Sequence, residues 1–174
     1  MVKAKAKIYI DGANIFYTQK RLGWIIDWNK VKNLIEQEKE VAEWKYYVGV
    51  KDGDEKMLKY LKYLNAIGFN VITKPLKKIK VNKDEVISQT EKGGFIYKAN
   101  FDVEMTADIL LDKAKLDEII IFSGDSDFKY LVKKLKDSGV KTIVYSSRKT
   151  ISWELKLESS QTVYFESIKD KIAR

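Results

Sequence analysis

The chain has 174 residues, 45% of them hydrophobic, and 33 basic against 25 acidic side chains give it a net charge of +8. That length and apolar content fit one globular domain with a sizeable core. Cysteine and histidine are both absent, which excludes disulfides, cysteine zinc sites, thiol nucleophiles and every triad built on imidazole. Hydrolytic chemistry in such a chain must rest on carboxylates, lysines, hydroxyls or a metal ion held by oxygen.

The N-terminal stretch MVKAKAKIYIDGANIF has no long apolar run. It predicts neither a signal peptide nor a membrane span, and a cytoplasmic protein is the default expectation. The first strand is predicted over Lys7–Asp11, followed by a helix from Asn14 to Leu22. WNKVKNLIEQE reads as a second helix with Val31, Leu34 and Ile35 on one face. A strand over Val41–Val50 follows. DEKMLKYLKYLNAIGF is amphipathic and is closed by Gly68. The next strand is Asn70–Lys74, with the chain's single proline, Pro75, directly after it. From Pro75 to Asn100 the rhythm breaks, and weak alternation around Gly93-Gly94 predicts a two-stranded hairpin or a mobile arm. Then come a helix from Val103 to about Asp112, a strand over Glu118–Phe122, a helix over Asp127–Lys136 and a strand over Val140–Tyr145. A less regular end contains TVYF as a possible last strand. Alternation of strand and helix predicts an α/β fold with a central, mostly parallel sheet and helices on both faces. Ligands in such sheets bind beyond the carboxyl ends of the strands, which puts Asp11 and Asp125 on one rim.

A basic chain favours a polyanionic partner, although lysine-rich composition also serves solubility. Against that background, residues 101–127 hold eight acids and only two lysines. Asp125 and Asp127 follow the apolar run IIIF. One aspartate there is explained by helix capping. A second, two residues on, is not, because one side chain suffices and like charges repel unless a cation or proton lies between them. Asp11 directly follows IYI, at an edge where it must meet solvent or a ligand. Glu104 and Asp108 share a helix face, as do Asp108 and Asp112, a spacing that weakens an isolated helix slightly. Asp102 stands at the helix start as a possible cap, and Asp112 is expected on the solvated surface. Three separate places thus offer carboxylates at one rim. Mg²⁺ or Mn²⁺ takes oxygen ligands, keeps several waters and suits phosphate substrates, and it needs no histidine.

YIDGANIFY (Tyr9–Tyr17), KANFDVEMTADIL (Lys98–Leu110) and IIIFSGDSDFKYLVKKLKDSGVKTIVYS (Ile119–Ser146) together resemble the NYN domain, a branch of the PIN-like nucleases, with its LabA-like members nearest. SGDSDF after an apolar strand is the most specific piece. The resemblance covers most of residues 7–165. It implies a Rossmann-like, three-layer α/β/α fold, which with the length and the broken rhythm gives a single domain, 1–174, with a basic hairpin or arm near 75–100. It also implies metal-dependent ribonuclease activity at a carboxylate cluster. Asp11 matches the first-strand acid, Asp102 the acid of a Lys-Gly-Val-Asp-Val segment, Asp108 the acid six residues later, and Asp125 and Asp127 the Ser-Gly-Asp-x-Asp-Phe pair. Asn100-Phe101 replaces the Gly-Val before the family aspartate, and Ser159-Ser160 stand where an acid is expected before the last strand.

The leading expectation is therefore an Mg²⁺- or Mn²⁺-dependent endoribonuclease acting on single-stranded or structured RNA. Asp11, Asp102, Asp125 and Asp127 would be catalytic and hold the metal, with Asp108 and Glu104 as outer ligands or a water-positioning base. Asn14 and Ser123 would hydrogen-bond a metal water or a phosphate. Lys74, Lys77, Lys78, Lys80 and Lys83 would track phosphates, against the plain reading of a solvated hairpin. Phe16, Tyr17, Trp24, Trp28 and Phe128 are either core or platforms for bases. An RNA-binding regulatory module with little turnover is the alternative from another class. A phosphatase-like hydrolase is disfavoured because DGANIF lacks the second acid of a D-x-D motif. No membrane partner is expected, and a homo-oligomer stays open.

Overall fold

The computed structural model describes residues 3–80, 95–113 and 116–174. In chain order the strands are β1 (Ala4–Asp11), β2 (Lys39–Val50), β3 (Phe69–Pro75), β4 (Lys77–Lys80), β5 (Phe95–Lys98), β6 (Glu118–Phe122), β7 (Lys141–Ser146) and β8 (Gln161–Tyr164). Six of them form one sheet in the order β3-β2-β1-β6-β7-β8, with every neighbouring pair parallel. The short strands β4 and β5 pair antiparallel with each other. They lie within the segment expected to form a hairpin or arm, and the predicted Gly93-Gly94 turn and Lys83 lie outside the described residues.

The helices are α1 (Gly12–Leu22), α2 (Trp28–Glu38), α3 (Glu55–Ala66), α4 (Asp102–Asp112), α5 (Lys129–Asp137), α6 (Trp153–Glu158) and α7 (Lys169–Ile172). They cover both faces, and the period-2 alternation of the strands sorts the core into two layers. Ile8, Ile10, Ile120 and Phe122 point to the layer that holds Trp28, Ile35, Leu64 and Ile172. Tyr9, Ile119, Ile121 and Val144 point the other way, against Met105, Ile109, Leu131 and Leu135. Strand β6 is buried along its whole length, as a central parallel strand covered on both faces must be.

The carboxyl-terminal end is more regular than its sequence suggests, because α6 and α7 flank β8. Ser152 caps α6 by accepting from Leu155 N–H at 3.2 Å. Asp127 does not open a regular helix. A 3₁₀ turn over Ser126–Phe128 comes first, and α5 starts at Lys129.

This strand order places a reversal between β1 and β6. The chain winds outward from β1 through β2 to β3, then returns to lay β6, β7 and β8 on the other side of β1. Loops leaving adjacent strands in opposite directions open a crevice at their carboxyl ends. Gly12 lets α1 begin close to the sheet there. A Cβ at this position would lie 2.6 Å from the Tyr47 carbonyl and 2.6 Å from the Tyr46 ring.

Candidate metal centre

Asp11 is the last residue of β1 and caps α1 by accepting from Asn14 N–H at 3.0 Å. Ile10 stands opposite Phe122 in the β1–β6 pairing, so Asp11 and Ser123 leave the sheet side by side. The buried Ser123 hydroxyl donates to Asp11 Oδ2 at 3.2 Å and accepts from Asp125 N–H at 3.2 Å. Asn14 Oδ1 accepts from Gly124 N–H at 3.0 Å. Ser123 and Asn14 thus tie the two loops together. Gly124 itself is packed so closely that a Cβ would collide with the Thr150 carbonyl.

Asp102 arrives from a third element. It is the first residue of α4, and its N–H donates to Asn100 Oδ1 at 2.9 Å, so its carboxylate is not spent on capping. Carboxylate oxygens of Asp11, Asp102 and Asp125 all lie within 4.8 Å of one another. Asp127, whose N–H donates to Asp125 Oδ1 at 3.1 Å, is exposed and acts on Asp102 as a further nearby negative charge. Among the described residues, no lysine or arginine forms an ion pair with any of these four.

Protonation follows from that geometry. The Asp11 carboxyl is pushed up to about 6: burial raises it most, the Asn14 N–H and Ser123 hydroxyl draw it back, and the Asp102 and Asp125 charges add to the rise. Asp102 is also raised, by burial first and then by the Asp125 and Asp127 charges. Converging carboxylate oxygens with no ion-pair partner among the described residues are the donor set that a hard divalent ion accepts. The buried Ser146 hydroxyl at the end of β7, which has no hydrogen-bond partner among the described residues, adjoins this loop at Gly124.

The structure does not bring every expected residue to the cluster. Asp108 Oδ2 accepts from the Tyr47 hydroxyl at 2.6 Å and from Lys45 Nζ at 3.0 Å. Six residues along α4 carry it roughly 9 Å down the helix axis from Asp102, onto the sheet rather than the rim. Asp112, expected on the solvated surface, is instead tied to Tyr9 Oη at 2.8 Å, Lys7 at 3.1 Å and Lys45 at 3.3 Å. Glu104 pairs with Lys74 at 2.7 Å, and Lys74 Nζ also lies 4.4 Å over the Phe101 ring. Lys77, Lys78 and Lys80 are exposed on β4, and Lys78 Nζ lies 4.1 Å over the Phe95 ring.

Of the aromatic candidates, Trp28 and Phe128 are core and Trp24 packs against it, whereas Phe16 and Tyr17 are exposed. Ser160 hydrogen-bonds Thr142 at the amino end of β7. The Ser159-Ser160 departure therefore falls on the opposite rim from the cluster. Sequence reasoning does not reach Tyr9, Tyr47 and Lys45 as partners of α4, and their only signal there is a polar group within a buried strand.

A parallel α/β/α sandwich with an acidic cluster at its switch point is a nuclease-like fold. The chain belongs to the NYN domain family, whose profile matches residues 5–166. It is 29% identical to the low amplitude and bright protein LabA of Synechococcus elongatus, over 98% of this chain and 89% of that protein. A crystal structure of a protein of unknown function from Vibrio parahaemolyticus superposes with a TM-score of 0.78 at 26% identity, covering 99% of this chain and 97% of the other. Among the described residues no helix is long and apolar enough to cross a membrane.

Proposed function

We propose that the protein is a divalent-cation-dependent endoribonuclease that hydrolyses phosphodiester bonds of cytoplasmic RNA. The observation that carries this reading is the convergence of Asp11, Asp102 and Asp125 oxygens within 4.8 Å, unpaired by any described base. Membership of a family that is generally nucleolytic supports it. Residues 1–174 act in this reading as one domain, with the hairpin as an arm.

Asp11, Asp102 and Asp125 would hold Mg²⁺ or Mn²⁺, with Asp127 beside them. When bound, such an ion supplies Lewis acidity and a nucleophile at neutral pH for attack on phosphorus. The chain's own residues do the rest. Ser123 and Asn14 fix the β1 and β6 loops that carry Asp11 and Asp125, and Asn100 holds the backbone of Asp102. The exposed Asp127 carboxylate would orient the attacking water and take its proton. Lys77, Lys78 and Lys80 hold the RNA backbone near a rim that would otherwise repel it, and ammonium groups make that hold tolerant of sequence.

The test is cleavage of a panel of single-stranded and hairpin RNAs with Mg²⁺, with Mn²⁺ and with chelator. Cleavage that requires the ion and disappears in Asp125→Asn is expected. Mn²⁺ should also raise the melting temperature of wild type and not of Asp125→Asn. A panel left uncut while the Mn²⁺ shift persists would replace this reading with that of an RNA-binding module.

A further inference from the structure

Beyond β7 the chain forms a loop, 147–152, that is fixed on several sides. The buried Ser147 hydroxyl donates to Glu166 Oε1 at 2.6 Å, and Arg148 N–H donates to the same oxygen at 3.1 Å. Thr150 Oγ1 meets Thr18 Oγ1 of α1 at 3.0 Å. Ser152 N–H donates to the Gly124 carbonyl at 2.8 Å, one residue before Asp125. The loop is therefore part of the same rim as the acidic cluster.

On its outer side lies an open cleft of about 210 Å³ lined by Arg148, Ile151, Trp153, Lys156 and Tyr164. Trp153 is 64% exposed, an unusual position for the side chain with most to gain from burial. Two cations are arrayed on these rings. The Arg148 guanidinium lies 4.0 Å over Tyr164, and Lys156 Nζ lies 5.2 Å from the Trp153 ring and 5.9 Å from Tyr164. Among the described residues neither Arg148 nor Lys156 is in an ion pair. Glu166 is engaged with the loop backbone, and among the described residues the guanidinium has only Ser167 Oγ as a hydrogen-bond partner, at 3.3 Å.

A flat exposed ring with unpaired, pre-positioned cations beside it fits one kind of occupant, a base with its phosphate. Base–aromatic stacking accepts any base, and a guanidinium against a ring adds to the platform while its charge meets the backbone. Double-stranded RNA cannot use it, since its bases are stacked on one another.

We infer that this cleft is a subsite for single-stranded RNA, in which an unstacked base lies on Trp153 and its phosphate meets Arg148 and Lys156, next to the bond presented to the acidic cluster. The inference rests on the reading of that cluster as an RNA-cleaving site. It makes the substrate a strand with at least one unpaired nucleotide beside the cut. It also gives the RNA a second hold, across the rim from the lysine hairpin.

The test is binding of the full chain, in chelator so that no strand is cut, to labelled oligo(A) of about ten nucleotides and to an abasic ribose-phosphate chain of the same length. Trp153→Ala should weaken oligo(A) about tenfold and leave the abasic chain unchanged, and Trp153→Phe should restore most of the affinity. Arg148→Ala should weaken both ligands and lower the salt slope by about 0.7, the share of a single phosphate. Equal affinity of Trp153→Ala and wild type for oligo(A), or equal weakening on the abasic chain, overturns the subsite. Cleavage separates this inference from the reading beneath it. A wild type that cuts RNA while Trp153→Ala binds oligo(A) undiminished removes the subsite alone. A wild type whose hold on oligo(A) depends on Trp153 but that never cuts RNA keeps the subsite and removes the nuclease.

Discussion

Helix α4 carries two groups of aspartates in opposite electrostatic conditions. At its first residue, Asp102 joins Asp11 and Asp125 in a cluster with no described base to neutralise it. Further along the same helix, Asp108 and Asp112 lie against Lys7, Lys45, Tyr9 and Tyr47. The second group is a structural tie. Its charges are matched within the fold. Partial burial would raise the Asp112 carboxyl, but the Tyr9 hydroxyl, Lys7 and Lys45 outweigh it and hold the group below the usual carboxylate range. The first group is left unmatched, and burial holds Asp11 well above that range. Acids of one type on one helix thus separate into structure and site by whether their counter-charge belongs to the chain.

The sharpest way to break this comparison is through turnover. Asp11→Asn or Asp125→Asn removes a charge that would hold the ion, and a loss of about 4 kcal/mol of transition-state stabilisation corresponds to roughly a thousandfold in rate. Asp112→Asn, by contrast, should keep most of the cleavage per folded molecule. Single-turnover cleavage with Mn²⁺ measures both. Equal losses in the two variants would mean that the groups do not differ in role.

Stability in metal-free buffer should move the other way. An acid whose folded pKa is raised contributes stability below its unfolded value and loses it as pH rises through the folded one. Asp11→Asn should therefore gain on wild type between about pH 4 and pH 7, approaching about 2–3 kcal/mol, and Mn²⁺ should close the gap. Denaturant unfolding across that range tests it, and a pH-independent difference would show that the cluster carries no strain.

Asp112→Asn should cost about 2 kcal/mol at neutral pH, because Lys7 and Lys45 lose a partly buried partner. A depressed pKa contributes stability above the unfolded value, near 4, which is lost as pH falls through the folded value. The Asp112→Asn deficit should accordingly shrink on acidification, the opposite trend to that of Asp11→Asn. The same unfolding series reads it.

The smallest effect extends the comparison to the bases. Lys74 is matched by Glu104, whereas Lys77, Lys78 and Lys80 form no ion pair among the described residues. Changing these three to Ala should leave stability nearly unchanged and flatten the salt dependence of RNA binding by about two units. The same treatment of Lys74 should cost stability through Glu104 and Phe101 instead. An unchanged slope in the triple variant would place the RNA path away from the hairpin.

Much of this protein is written locally. The helix over Trp28–Glu38 is set by the spacing of Val31, Leu34 and Ile35 and by Asp27, which accepts from Asn29 and Lys30 N–H groups. The buried strand Glu118–Phe122 and the acids after it can be read directly, since a run of branched apolar residues followed by Ser-Gly-Asp marks both a strand and its loop. The topology rule for parallel sheets then brings Asp11 and Asp125 to one rim without coordinates. What the chain cannot state locally is which acids have partners. Lys45 is 63 residues from Asp108 and Tyr9 is 103 from Asp112, and spacing within α4 cannot register a neighbour contributed by β1 or β2. The Trp153 cleft is hidden for the same reason, because its significance lies in the hydrogen bond from Ser152 to Gly124 and in cations arriving from separate elements. Local periodicity depends on residues three or four apart and survives in the sequence. Charge matching and exposure depend on what the fold brings from far along the chain, so they were decided only when the strands took their order.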